Sequence, residues 1–176
     1  IAKSLGFRAD LVSFACGLLA LAALGVGDMA EAERAARECA DVYGEIGRPD
    51  HFWPHLVRGH VAAAAGRLDE ARREWHSALR TYPTIFISQG CVWEPLSGVA
   101  AFLARCGEAE RAVEIYASAR RYPFVARSRW HEEICALPVA AAAASLPPEV
   151  RAAAEERGRA RESEATVQEL LAELEK

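Results

Sequence analysis

The chain has 176 residues, 52% of them hydrophobic and 26% charged, enough for a packed core and too apolar for wholesale disorder. Its net charge of −4 and pI near 5.8 argue against a surface built to neutralise nucleic-acid phosphates. The five cysteines are an odd number without CxxC spacing, which favours small buried thiols in a reducing cytoplasm over disulfides or metal.

Strand signals are nearly absent. Only TIFISQGCVW, 84–93, is β-branched and aromatic enough to suggest one. Helical period predicts helices near 8–25, 28–46, 52–65, 68–81, 91–105, 108–121, 128–144, 148–158 and 163–175. IAKSLGFRAD reads as the last turns of a helix followed by a turn, and a chain opening on Ile is expected to continue a longer protein. LVSFACGLLALAALGVG approaches membrane-spanning length, but it is Ala- and Gly-rich, stops at Asp28 and lacks a basic flank, so a buried helix is expected. Further on, Pro138 should kink its helix. The charged run EERGRARESE, 155–164, reads as a solvated helix end with Gly158 as C-cap. Ser163 then opens a helix with a stripe at Leu170, Leu171 and Leu174.

Three segments repeat one another: GDMAEAERAARECA from Gly27, GRLDEARREWHSAL from Gly66 and GEAERAVEIYASAR from Gly107, spaced 39 and 41 residues apart. Each glycine is followed by an alanine (Ala32, Ala71, Ala112), a second core position (Ala36, Trp75, Tyr116) and a small residue (Cys39, Ala78, Ala119). The preceding helices carry matching small positions at Ala20, Gly59 and Ala100. Glycine ends a helix where a left-handed residue is required. Small residues admit close neighbours, and the large one fills the groove. Trp75 is therefore expected in the core, between stacked units.

Motifs for chemistry are weak. His51, His55 and His60 lack a completing Cys or carboxylate, so no metal site is expected. HEEIC, 131–135, has Cys135 where a zinc motif needs a second His. No nucleophile elbow or phosphate-binding loop occurs, and neither an enzyme nor a cofactor is expected.

The pattern of small residue, Gly, Ala, aromatic, Ala and Pro resembles the tetratricopeptide repeat, most closely at Gly59, Gly66, Ala71, Trp75, Ala78 and Pro83. The first unit departs from it at Ala36 and Gly44, and all three exceed the usual period of about 34 residues. Longer repeats of this kind, and the closing segment 145–174, are similar to the C-terminal region of bacterial signal-transduction ATPases with numerous domains, including maltose-regulon-type activators. The resemblance implies an all-α solenoid of stacked hairpins over 1–126, made of the end of one repeat plus three units, closed by a helical cap over 127–176. It implies a cytoplasmic sensor that takes a small effector or a protein on its concave face and controls an upstream nucleotide-binding domain of the same chain. Neither nucleic acid nor membrane is an expected partner. The alternative is a stand-alone scaffold binding a peptide or partner helix. Opening helices line the concave face in such arrays, so the resemblance places Trp53, Leu56 and His60 there, with Trp93, Glu94, Ser97 and Arg105 from the third unit. Phe14 and Leu21 extend the wall. Coverage of this wall by loops or by the tail is the competing expectation.

Overall fold

The computed structural model describes residues 2–84, 87 and 92–176, the first seven of them by backbone alone. Among these residues every regular element is helical. The chain divides into two compact units, 1–82 and 83–176. This groups the third hairpin with the expected cap, where the sequence suggested a boundary at 126/127.

The first unit holds α1 (Ala2–Gly25), α2 (Met29–Glu45), α3 (Phe52–Ala64) and α4 (Leu68–Thr81). The turn expected after IAKSLGFRAD is absent, because α1 runs through it without interruption. The second unit opens with the hairpin α5 (Trp93–Arg105) and α6 (Ala109–Ala119). The cap follows as α7 (Pro123–Arg127), α8 (Arg129–His131), a π-helical turn (Glu132–Ala136), α9 (Leu137–Ala143), α10 (Pro148–Ala160) and α11 (Ser163–Leu174).

The hairpins α1–α2, α3–α4 and α5–α6 are turned alike. Gly27, Gly66 and Gly107 adopt φ of 82°, 74° and 83°, a region where a side chain is strained and glycine is not. Each glycine N–H donates three residues back, to the carbonyl of Leu24, Ala63 or Ala104. The next N–H (Asp28, Arg67, Glu108) donates five back, to Ala23, Ala62 or Leu103. This pair of bonds satisfies carbonyls that the helix end would leave open.

The repeated packing positions are all buried: Ala32, Ala71 and Ala112, then Ala36, Trp75 and Tyr116, then Cys39, Ala78 and Ala119. Their partners Ala20, Gly59 and Ala100 are buried as well. Gly59 shows why a small residue is needed, since a Cβ there would lie 2.8 Å from the Trp75 ring. Between the first two hairpins, Arg67 pairs with Glu33 at 2.7 Å, and within its own hairpin it pairs with Glu70 at 2.8 Å.

Two expectations in the cap are corrected. The predicted helix 128–144 is interrupted by the π-helical turn, whose far end is closed by the Leu137 N–H donating to the Glu132 carbonyl. Pro138 has no N–H for the carbonyl four residues back, and an inserted residue in the helix is a known way to accommodate such a break. Most of the run EERGRARESE is exposed and the helix ends within it, but Gly158 is not its C-cap. Helix α10 continues to Ala160 with Gly158 inside it, and the helix lies against α6 at that glycine. Arg157 pairs with Glu110 at 2.6 Å and with Glu114 at 3.1 Å, while Arg161 pairs with Glu114 and Glu169. From α6, Arg111 reaches Glu114 at 2.9 Å and Glu173 of α11 at 2.7 Å. Leu170 and Leu174 are buried beneath this lattice, and Leu171 is half-buried.

Candidate functional site

In the first unit, the helices expected to form the ligand wall use much of it for packing. Trp53 is buried, its ring 4.8 Å from that of Phe14. It lies so close to Gly17 that any Cβ there would enter the indole. Leu56 is fully enclosed, and Leu21 is buried as well. His60 is buried with its ring edge-on to Trp75 at 4.8 Å. Phe14 alone of these keeps an open face.

The three neighbouring histidines have separate tasks. His51 accepts the Trp53 N–H on its Nδ1 at 3.3 Å and so caps α3. His55 meets Glu74 at 2.8 Å, and that carboxylate also takes Arg58 at 2.8 Å.

In the second unit, Glu94, Ser97 and Arg105 of α5 all lie within range of Cys135 in the π-helical turn, whereas Trp93 and Arg105 stand at opposite ends of the helix. Ser97 is buried, with its hydroxyl donating to the Glu94 carbonyl at 2.9 Å. Cys135, in the π-helical turn, is fully buried. Burial pushes its thiol up to about 12, and Ser97, Arg105 and Glu94 are all near enough to act on it. Arg105 turns back along its helix to donate to the Ala101 carbonyl at 3.0 Å. Burial lowers its pKa, an effect opposed by Cys135. Trp93 is half-buried, with Phe124 at 4.6 Å and His131 at 5.9 Å between ring centres.

Two titratable groups here are unusual. Burial pushes the Glu94 carboxyl up to about 7. The residue as a whole is half-buried while its carboxyl is enclosed, and among the described residues no cation pairs with it. His131 is buried, with neither ring nitrogen meeting a partner among the described residues, and burial lowers it to about 4. At neutral pH His131 is thus uncharged and Glu94 is only about half ionised, each shifted by desolvation.

Glu94 gives a pH-dependent stability of definite sign. Its folded pKa lies above its ordinary value, so the folded chain holds the proton more tightly than the unfolded chain. Below pH 4.5 the carboxyl is neutral in both states and carries no penalty. Stability falls as pH rises from 4.5 towards 7 and stays reduced above that. Glu94→Gln is expected to raise stability at pH 8 by about 1–3 kcal/mol and to change little at pH 4.5. Urea unfolding at the two pH values measures this, and an equal effect at both would show that Glu94 is not desolvated.

One feature had no signal in the contiguous sequence. A groove of about 390 Å³ lies along α6, α9 and α10, and Arg120, Arg121, Arg151 and Arg159 line it. These arginines come from the end of α6 and from one face of α10, far apart in the chain, so no local motif announces them.

No family model matches the chain, and no curated protein or solved structure matches it.

Proposed function

We propose that this chain is a recognition module, the C-terminal sensor part of a bacterial signal-transduction ATPase. In this reading the hairpins stack as a solenoid closed by the cap, and an effector or partner binds the face presented by the opening helices. Binding favours the conformation that frees an upstream nucleotide switch, a population shift set by differential affinity. The observation that carries the reading is the recurrence of one hairpin three times, with the same glycine turn and the same buried small and large positions. Such repeats bury their cores against neighbours and present a continuous surface for binding. Trp93, with Glu94 beside it in sequence and the Phe124 and His131 rings against it, supplies an aromatic anchor and polar groups of the kind ligand sites combine.

A second reading, a scaffold that takes a partner helix, is favoured by α1. Val12, Ala15, Leu19 and Ala22 are all exposed along it, with Leu11 and Leu18 beside them. Their alternating three- and four-residue spacing is that of a helix-packing seam.

One thermal-shift experiment separates the two readings. A panel of sugars, amino acids and nucleotides is screened against the parent chain, Trp93→Ala and Leu19→Glu. A sensor gives a hit that is lost in Trp93→Ala and kept in Leu19→Glu. A panel without hits, together with an amphipathic helical peptide that binds the parent and not Leu19→Glu, replaces the sensor with the scaffold.

A further inference from the structure

The groove along α6, α9 and α10 combines positive charge with apolar surface. The whole chain carries a net charge of −4. Four arginines line the groove, and Glu155 is the one carboxylate in its lining. Glu155 is taken by Arg151 at 3.1 Å and by Arg159 at 3.5 Å. Arg121 donates to the Arg159 carbonyl at 3.1 Å, which holds it across the groove mouth. Arg120 is exposed and has no carboxylate partner among the described residues. One negative charge therefore stands against four positive ones.

The floor is different in kind. Val139, Ala140 and Ala143 come from α9, and Val113 and Tyr116 from α6. Tyr116 is nearly enclosed, and burial pushes its phenol up to about 12, so it faces the groove as a neutral group. An aliphatic floor beneath a rim of guanidinium groups suits a molecule with an apolar body and an anionic head. Guanidinium pairs with carboxylate or phosphate through two parallel hydrogen bonds. The volume of about 390 Å³ is at the lower end of small-molecule clefts and too small for a docked helix.

We infer that this groove is a binding site for a small amphiphilic anion, with the head held by Arg120 and Arg151 and the body laid over Val139, Ala140 and Ala143. It rests on the recognition reading for its biological sense only. Its surface is separate from Trp93, so the two stand or fall by different variants.

The test is isothermal titration of the whole chain with dodecanoate and dodecyl phosphate, each below its micelle concentration, beside dodecyltrimethylammonium as the cationic control. Either anion binds and the cation does not. The Arg120→Ala, Arg151→Ala double variant weakens the anion at least tenfold with its melting temperature within a few degrees of the parent's. Ala140→Trp, which fills the floor and leaves every arginine, abolishes binding. Glu155→Gln tightens it severalfold, because the internal competitor for Arg151 and Arg159 is gone, a change that a purely structural role for these arginines would not produce. Equal binding of the cation, indifference to Ala140→Trp, or binding of a glutamate-rich peptide in place of both amphiphiles overturns the inference. Its failure leaves a Trp93-dependent effector untouched, and loss of that effector leaves this groove untouched.

Discussion

Gly158→Ala is expected to destabilise the second unit by about 2–3 kcal/mol and to loosen α10, read as a lower urea midpoint and earlier proteolysis near Arg151 to Arg159. Helix propensity argues the other way, since alanine in place of an exposed helical glycine gains close to 1 kcal/mol. The sign is decided by what a Cβ would meet. It would fall far inside van der Waals contact distance of the Glu114 carbonyl oxygen and lie 2.7 Å from the Ala117 Cβ. The oxygen belongs to the backbone of α6 and cannot rotate aside, so α10 must move away. Moving it lengthens the Arg157 and Arg161 pairs to Glu114, a carboxylate that is almost wholly enclosed. A buried charge losing its partners costs several kcal/mol at the upper limit. A Gly158→Ala chain more stable than the parent would mean that α10 does not dock here in solution.

Gly158 also marks the limit of what a sequence read locally can reveal. Gly27, Gly66 and Gly107 are legible because their partners are near: the turn they form closes on carbonyls three and five residues back. Ala71, Trp75 and Ala78 are legible because the helical period places them on one face. Gly158 lies in a charged run near a helix end, where a glycine usually caps, and the reason for it lies on α6, more than forty residues earlier. The ion pairs of Arg157 and Arg161 are hidden for the same cause, because Glu110 and Glu114 are remote in sequence.

The candidate site was legible in the same partial way. Placing Trp53 and Ser97 on opening helices was sound helix geometry. Which neighbour comes to lie on them was not encoded nearby: Gly17 receives Trp53, and the π-helical turn carries Cys135 over Ser97. Pro138 announced a break without its form. Pro123, between the predicted helices 108–121 and 128–144, begins α7, where its missing N–H costs nothing. The arginine groove escaped entirely, being assembled from the end of α6 and one face of α10.

Trp75→Ala should cost the first unit about 3–5 kcal/mol, the largest loss expected from one substitution here. Trp75 is wholly enclosed, with Gly59 beneath its ring and His60 against its edge. Its indole N–H has no acceptor among the described residues, so what Trp75 contributes is volume and contact. Trp75→Phe, which removes that N–H together with part of the ring, is accordingly expected to cost far less than alanine, about 1–2 kcal/mol. Gly59 turns this into a test of the contact itself. In the parent, Gly59→Ala drives a methyl into the indole and destabilises despite its better helix propensity. With Trp75→Ala, that space is empty, and the same Gly59→Ala change should become neutral or stabilising. The double-mutant cycle would then give a coupling of about 1–3 kcal/mol, read from urea midpoints of the four chains. Additive effects would place Trp75 away from Gly59 in solution, and the small–large–small packing of the repeated hairpin would lose its best-kept example.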